Sequence, residues 1–334
     1  MATVGIVGLG RIGRSLVRAI RGRPRLALAA IRDPAEVDQL VYLLRYDTIL
    51  GRFPEPVALD DGHLRIGGDR IRILAGHAGD PVRWGELGVD TVFEASEQTR
   101  TRAQLEAHLV QGARRVIVCG PPAEAGEVPV VAGLSEEGLD PKSRILALGS
   151  PTVQCAAPAL RILLDAFGVR RAALTAIHSY TSAHHLADAP AEDLRRGRAA
   201  AANIVPQASR SIPMLEALLP QLAGRISAFA LNVPAYNASA VDLVCWHERD
   251  ADVESLRGAF RSAAGQPRWR RSLEVTEDPI VSSDVASADA SVIFDSLATM
   301  ALGGRVSKTF FWFDAGYSFA RRALELAERL GERP

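Results

Sequence analysis

Gly8-Leu9-Gly10-Arg11-Ile12-Gly13 is the stretch on which the reading of this chain turns. It follows a β-branched run, Thr3–Val7, and opens a segment with helical spacing, Arg11–Arg21. Between a strand and a helix each glycine has a physical task. The first permits a tight turn, the second lets a pyrophosphate approach the backbone, and the third lets helix and strand pack closely. The amides at the helix N-terminus then meet the phosphate charge. A second strand candidate, Ala27–Ile31, follows, and Asp33 lies at its end, twenty residues after Gly13. A carboxylate there can accept hydrogen bonds from an adenine-ribose diol and repels a 2′-phosphate, so NAD is expected rather than NADP. Arg32 softens that preference if its guanidinium turns inward. The candidate cofactor-binding set is Gly8, Gly10, Arg11, Ile12, Arg32, Asp33 and Ser96, the last just beyond the strand candidate Thr91–Glu94.

Working outward, the first half alternates short apolar runs with amphipathic stretches, the pattern of a parallel sheet covered by helices. Further strands are expected at Arg115–Cys119 and Arg144–Leu148, and helices at Glu36–Leu44 and Arg102–Gln111. Between Phe53 and Leu74 short segments separated by Asp60-Asp61-Gly62 and Gly67-Gly68-Asp69 suggest a hairpin insertion. After Ser150 the texture changes. A helix begins near Pro151, a strand over Arg171–Ile177 ends in His178, and a long polar passage, Ser179–Arg198, follows. Long loops inside compact domains are uncommon and often functional. Ile226–Val233, Ala240–Trp246 and Val306–Phe313 fit a mainly antiparallel sheet. The expected class is α/β: a doubly wound parallel Rossmann sheet over residues 1–150, then an α+β domain over 151–314 with a mainly antiparallel sheet. A C-terminal helix in 315–334 packs back on the first domain.

Length and composition narrow the function classes. At 334 residues and 48% hydrophobic content, two cores can be buried. Lys plus Arg (39) equals Asp plus Glu (39), so no single-sign field recruits nucleic acid or an anionic membrane. No run reaches the roughly 18 apolar residues of a membrane span. Cys119, Cys155 and Cys245 form no pairing pattern, and Met1 leads straight into the first strand without a basic leader. A cytoplasmic protein is expected.

Beyond the glycine loop, Leu44-Arg45-Tyr46-Asp47, Gly51-Arg52-Phe53, His178-Ser179-Tyr180-Thr181, Val241-Asp242-Leu243 and Ser282-Ser283-Asp284 form a specific combination. So does Asp193-Leu194-Arg195-Arg196-Gly197-Arg198-Ala199-Ala200-Ala201-Ala202-Asn203-Ile204-Val205-Pro206. Over nearly its whole length the chain resembles the glyceraldehyde-3-phosphate dehydrogenase family. That resemblance implies a cysteine thiolate at the start of the helix after Ser150, which attacks an aldehyde before hydride passes to NAD. Here the segment reads Gly149-Ser150-Pro151-Thr152-Val153-Gln154-Cys155. Aligned on Cys155, the nucleophile's place is taken by Pro151, whose side chain has no nucleophilic atom. The helix start survives the change, because Ser150 is a good N-cap and proline suits the first helical position. Cys155, one turn deeper, is expected to be a buried structural cysteine.

Other departures accompany it. The family's substrate-phosphate arginine aligns with Asn232, an acid and a glutamine with Ala183 and His184, and the Thr-Gly of its phosphate loop with Ser209-Arg210. Trp312-Phe313-Asp314-Ala315-Gly316-Tyr317 lacks the asparagine that would hold the nicotinamide amide. Ser150, Thr152, Thr181, Arg195 and Ser209 align with phosphate-holding groups, and Arg210 adds a cation. By resemblance these six form a candidate anion or substrate site. His178, opening the polar loop, is the candidate catalytic group: a neutral imidazole can take a proton from an alcohol as hydride leaves, a task that favours a pKa near working pH. His184 and His185 read as loop histidines without metal spacing. The leading expectation is an NAD-dependent oxidoreductase that moves hydride on a small anionic alcohol or aldehyde without a thioester. The alternative is a catalytically silent pseudoenzyme that binds NAD for structure, sensing or partner contact. A homotetramer is implied by resemblance alone, with no nucleic-acid or membrane partner.

Overall fold

Val4, Gly5, Ile6 and Val7 are buried in succession, so the first strand, β1 (Ala2–Val7), is covered on both faces as a parallel strand requires. The computed structural model describes residues 1–76, 81–96, 101–124, 127–140 and 142–331. These fall into two compact units: 1–130 with 138–149 and 319–334, and 131–137 with 150–318.

In the first unit β1 pairs in parallel with β2 (Leu26–Asp33) on one side and β8 (Thr91–Glu94) on the other. β9 (Arg115–Val118) and β10 (Ile145–Ala147) continue the parallel set. The helices are α1 (Arg11–Ala19), α2 (Val37–Arg45) and α3 (Arg102–Val110), and a two-residue ladder joins β3 (Tyr46–Asp47) to β4 (Gly51–Arg52). The expected hairpin insertion is a three-stranded meander instead: β5 (Val57–Asp60), β6 (His63–Ile66) and β7 (Asp69–Ala75). β7 also lies parallel to β2, giving the eight-stranded order β10-β9-β8-β1-β2-β7-β6-β5. Alternation explains the docking. Ile71 and Ile73 are buried while Arg70 and Arg72 are exposed, so the meander has an apolar face to add to the sheet. The last helix, α7 (Tyr317–Gly331), belongs to this unit from Phe319 onward, and Arg23 pairs with its Glu328 at 2.7 Å.

The second unit opens with α4 (Pro151–Phe167) and carries a seven-stranded sheet, ordered β12-β13-β11-β14-β17-β16-β15. Its strands are β11 (Arg171–Ser179), β12 (Val205–Ala208), β13 (Ile226–Val233), β14 (Ser239–Trp246), β15 (Leu273–Thr276), β16 (Val292–Ala301) and β17 (Val306–Phe313). Most pairings are antiparallel; β11–β13 and β15–β16 are parallel. α5 (Ile212–Leu218) and α6 (Val253–Ala264) join α4 against it. The core centres on stacked Phe260 and Phe294, with ring centroids 4.1 Å apart, and Phe311 tilted against both.

Gly13 is where the N-terminal turn is tightest. A Cβ there would sit 2.0 Å from the carbonyl oxygen of Gly8, a backbone atom with no room to yield. Gly13→Ala is therefore expected to lower stability by about 3 kcal/mol. Thermal unfolding followed by circular dichroism would read this as a fall in midpoint of roughly 6–12 °C. An unchanged midpoint would show that the turn relaxes without strain.

Candidate functional site

The glycine loop begins where β1 ends. Gly8 has φ of +89°, and a Cβ on it would lie 2.7 Å from the backbone of Ser96. Its N–H donates to the Arg32 carbonyl at 2.8 Å, tying the loop to the end of β2. α1 then starts at Arg11 behind Gly10, and no side chain caps it. Its first-turn amides are the orphan donors of a helix start, and they offer an anion both hydrogen bonds and the positive end of the dipole. Asp33 closes the edge. One carboxylate oxygen accepts the Leu9 N–H at 2.7 Å and the other the Ala35 N–H at 2.9 Å. Each oxygen keeps a lone pair for a ribose hydroxyl, so Asp33 both shapes the loop and can receive a ligand. Ser96 donates its N–H to Glu94 Oε1 at 3.1 Å, and its hydroxyl makes a short bond to the same oxygen. Arg32 is buried, on the face of β2 that carries Ala30, whose neighbours are Val82 and Trp84. The uncapped helix start and the two glycine positions closed to any Cβ fit a dinucleotide pyrophosphate.

In the second unit Ser150 caps α4: its Oγ accepts the Val153 N–H at 3.2 Å, and Pro151 takes the first helical position. Thr152 is buried, with Oγ1 3.4 Å from His178 Nε2. The other ring nitrogen, Nδ1, lies 3.2 Å from Ser239 Oγ, and the ring stands edge-on to Phe313. β11 runs one residue past His178, so the imidazole is held in strand register, opposite Asn232 on β13 and Ser239 on β14. Thr181 donates its N–H to His184 Nδ1 at 3.2 Å, which leaves the proton of a neutral ring on Nε2; the Asn232 side-chain amide lies 2.8 Å from that nitrogen and accepts the proton when its oxygen is turned to the ring. His184 lies in the loop after β11, as expected, and its ring is held there by Thr181 and Asn232. Ser239 was not legible beforehand.

Burial, and then the nearby His184, push His178 down to about 4, so the ring is neutral at physiological pH. This departs from the expectation of a group titrating near working pH. His184 is lowered as well, first by burial and then by the Arg196 charge. The remaining candidates lie apart from the ring. The Ser209 Oγ accepts the Ser211 N–H at 3.2 Å, a local turn. Arg195 and Arg210 are exposed, and Arg210 lines a cavity of about 460 Å³ with His185, Glu192, Asp193 and Arg196. Among the described residues no hydrogen bond or ion pair links Arg195, Ser209 or Arg210 to His178. All three cysteines are buried free thiols, each pushed well above the usual thiol range by desolvation. Cys155 is fully enclosed within α4, as expected.

Residues 2–102 match the glyceraldehyde 3-phosphate dehydrogenase NAD binding domain, and residues 150–315 match the C-terminal domain of the same enzyme. The chain belongs to the glyceraldehyde-3-phosphate dehydrogenase family. It is 39% identical over 331 residues to glyceraldehyde-3-phosphate dehydrogenase 1 of Streptomyces avermitilis, covering 98% of each protein. It is 34% identical over 325 residues to glyceraldehyde-3-phosphate dehydrogenase of Geobacillus stearothermophilus, covering 97% of this chain and 96% of that relative. The α/β class, with a parallel-rich sheet and a mainly antiparallel one, is that of the family's two domains. The N-terminal unit is accordingly a nicotinamide-dinucleotide-binding domain of an oxidoreductase family. No helix among the described residues is long and apolar enough to cross a membrane.

Proposed function

We propose that this family member is an NAD-dependent oxidoreductase that works on a small anionic alcohol or aldehyde without a covalent thioester. One observation carries the reading: the first residue of α4, next to the His178 cluster, is Pro151, while every thiol among the described residues is buried. Gly8, Gly10, Arg11, Ile12, Asp33 and Ser96 would hold the dinucleotide, whose nicotinamide ring supplies hydride acceptance or donation. The chain's own contribution is proton handling and orientation. His178, hydrogen-bonded between the Thr152 and Ser239 hydroxyls, would take the alcohol proton on a ring nitrogen as the carbonyl forms. Ser150, Thr152, Thr181, Arg195, Ser209 and Arg210 are proposed to orient the anionic end of the substrate. By family likeness we place the protein as a cytoplasmic homotetramer.

Asp33 supports NAD over NADP, since a 2′-phosphate would meet its carboxylate, and Arg32 lies with Ala30 rather than beside that carboxylate. Calorimetric titration is expected to give NAD at least about a tenfold tighter constant, and Asp33→Ser to narrow the gap. Equal affinities would remove Asp33 from the selectivity argument. Turnover itself is tested by nicotinamide absorbance across hydroxy acids, sugar phosphates and the matching aldehydes. A flat trace throughout would favour the second reading, a pseudoenzyme that keeps NAD as a ligand. The low pKa of His178 favours that reading, because a weakly basic imidazole gains little from taking a proton.

A further inference from the structure

The period-two alternation of β2, β6 and β7 brings basic side chains together on one sheet face. Arg72 is in register with Ala30 on one side and His63 on the other. Arg32 shares the face of Ala30, and Arg70 shares that of Arg72. The segment from Pro81 to Leu87 closes over them, and a cavity of about 490 Å³ is left, lined by Arg32, His63, Arg70, Arg72, Arg83 and Glu86. α1 lies on the opposite face: Gly13 approaches Ile6, whereas Gly5, next along β1, faces Trp84. The basin is therefore separate from the uncapped helix start that receives the dinucleotide.

Its charge is unbalanced. Among the described lining residues there are four arginines and one acid, Glu86; Arg32 is already engaged within the protein. Arg83 pairs with Glu86 at 3.0 Å, and Arg70 reaches Asp61 at 3.2 Å. Arg72 has neither an ion-pair nor a hydrogen-bond partner among the described residues. His63 donates from Nδ1 to the Asp61 carbonyl at 2.8 Å, since a carbonyl can only accept, so Nε2 stays open. Guanidinium forks grip phosphate oxygens two at a time, and several converging on one cavity need a ligand with more than one phosphoryl charge.

We propose that this basin is a second ligand site, for a diphosphate group, supplied either as inorganic pyrophosphate or as part of a nucleoside diphosphate. The inference stands on its own geometry and not on the redox reading above.

The test is calorimetry on the full chain saturated with NAD, titrated separately with pyrophosphate and with ADP. An initial NAD titration shows whether the dinucleotide site works, which keeps failure of that site distinct from failure of the basin. At least one of the two probes is expected to bind the NAD-saturated protein. Arg72→Gln is expected to weaken binding about tenfold, and Arg70→Gln/Arg72→Gln further, with NAD affinity unchanged. Both side chains are exposed, so the variants keep the fold, which circular dichroism verifies. Tighter binding of ADP assigns the basin to nucleotides; equal or weaker binding assigns it to the bare diphosphate. The proposal fails if neither probe binds up to ~1 mM. It also fails if Arg72→Gln binds as the parent does, or if saturating NAD abolishes binding and so places the diphosphate on the glycine loop.

Discussion

His178→Asn is expected to lower kcat by two to three orders of magnitude, roughly the range general acid–base catalysis supplies, while leaving NAD affinity intact. Among the described residues the ring is the one imidazole flanked on both nitrogens by hydroxyls, Thr152 at 3.4 Å and Ser239 at 3.2 Å. Asparagine can keep one of those hydrogen bonds but cannot accept a proton near neutrality. The glycine loop belongs to the other compact unit, so cofactor binding serves as an internal control. Steady-state rates with calorimetric NAD titration separate the two effects. A variant that turns over like the parent would exclude the ring from the chemistry.

The same group sets a pH dependence whose sign follows from its depression. Its folded value, about 4, lies below the ordinary histidine value of 6.5. The neutral ring is therefore favoured in the folded state, and the unfolded chain binds the proton more readily. Its contribution to stability is complete above about pH 6.5 and is lost as pH falls toward about 4, on the order of 3 kcal/mol in all. Activity that depends on the neutral ring is expected to be level from about pH 6 to 8, with an acid limb near 4. An acid limb near neutrality, absent in His178→Asn, would show that the ring titrates far above this value.

Local signals in the sequence reach the first unit well and the second less well. Three glycines, a strand before them and an acid at the end of β2 are all short-range, and each lies where its spacing places it. β16 was not legible because its alternation is broken. Asp295 sits buried within it, receiving the Trp312 indole N–H at 2.9 Å and the amides of Leu297 and Ala298, and the register shifts between Asp295 and Met300. α6 carried a readable start, the reciprocal Asp252–Ser255 cap, but its mixed composition hid it. At the site, His178 and Thr152 could be singled out by position, whereas Ser239 reaches the His178 ring, and Asn232 that of His184, through pairing across strands distant in sequence. The depression of His178 has the same origin: it arises from enclosure and from His184, not from any neighbour in the chain.

Pro151→Cys is expected to give the chain a reactive thiol that it otherwise lacks. Under native conditions the parent should alkylate negligibly, because Cys119, Cys155 and Cys245 are buried and their thiols are pushed up. At position 151 a thiolate would meet the N-terminal amides of a 17-residue helix whose Ser150 cap persists. Helix starts lower cysteine values to roughly 3.5–7.5, so most of the thiol would be ionised near neutrality and iodoacetamide should modify it at least about a hundredfold faster than the parent's cysteines. Proline is not needed for the helix, so the change in stability is expected to stay within about 1 kcal/mol. The new charge acts on the ring in turn. An anion beside an imidazole favours its protonated form, so His178 should rise from about 4 as the pair forms. The acid limb of the pH profile would then move toward neutrality, and intact-mass spectra with an aldehyde and NAD would show an acyl adduct that the parent never forms. An adduct on the parent itself would overturn the non-covalent reading. If the new cysteine alkylates no faster than an exposed thiol and the limb stays near 4, position 151 is remote from the ring and the two do not act as a pair.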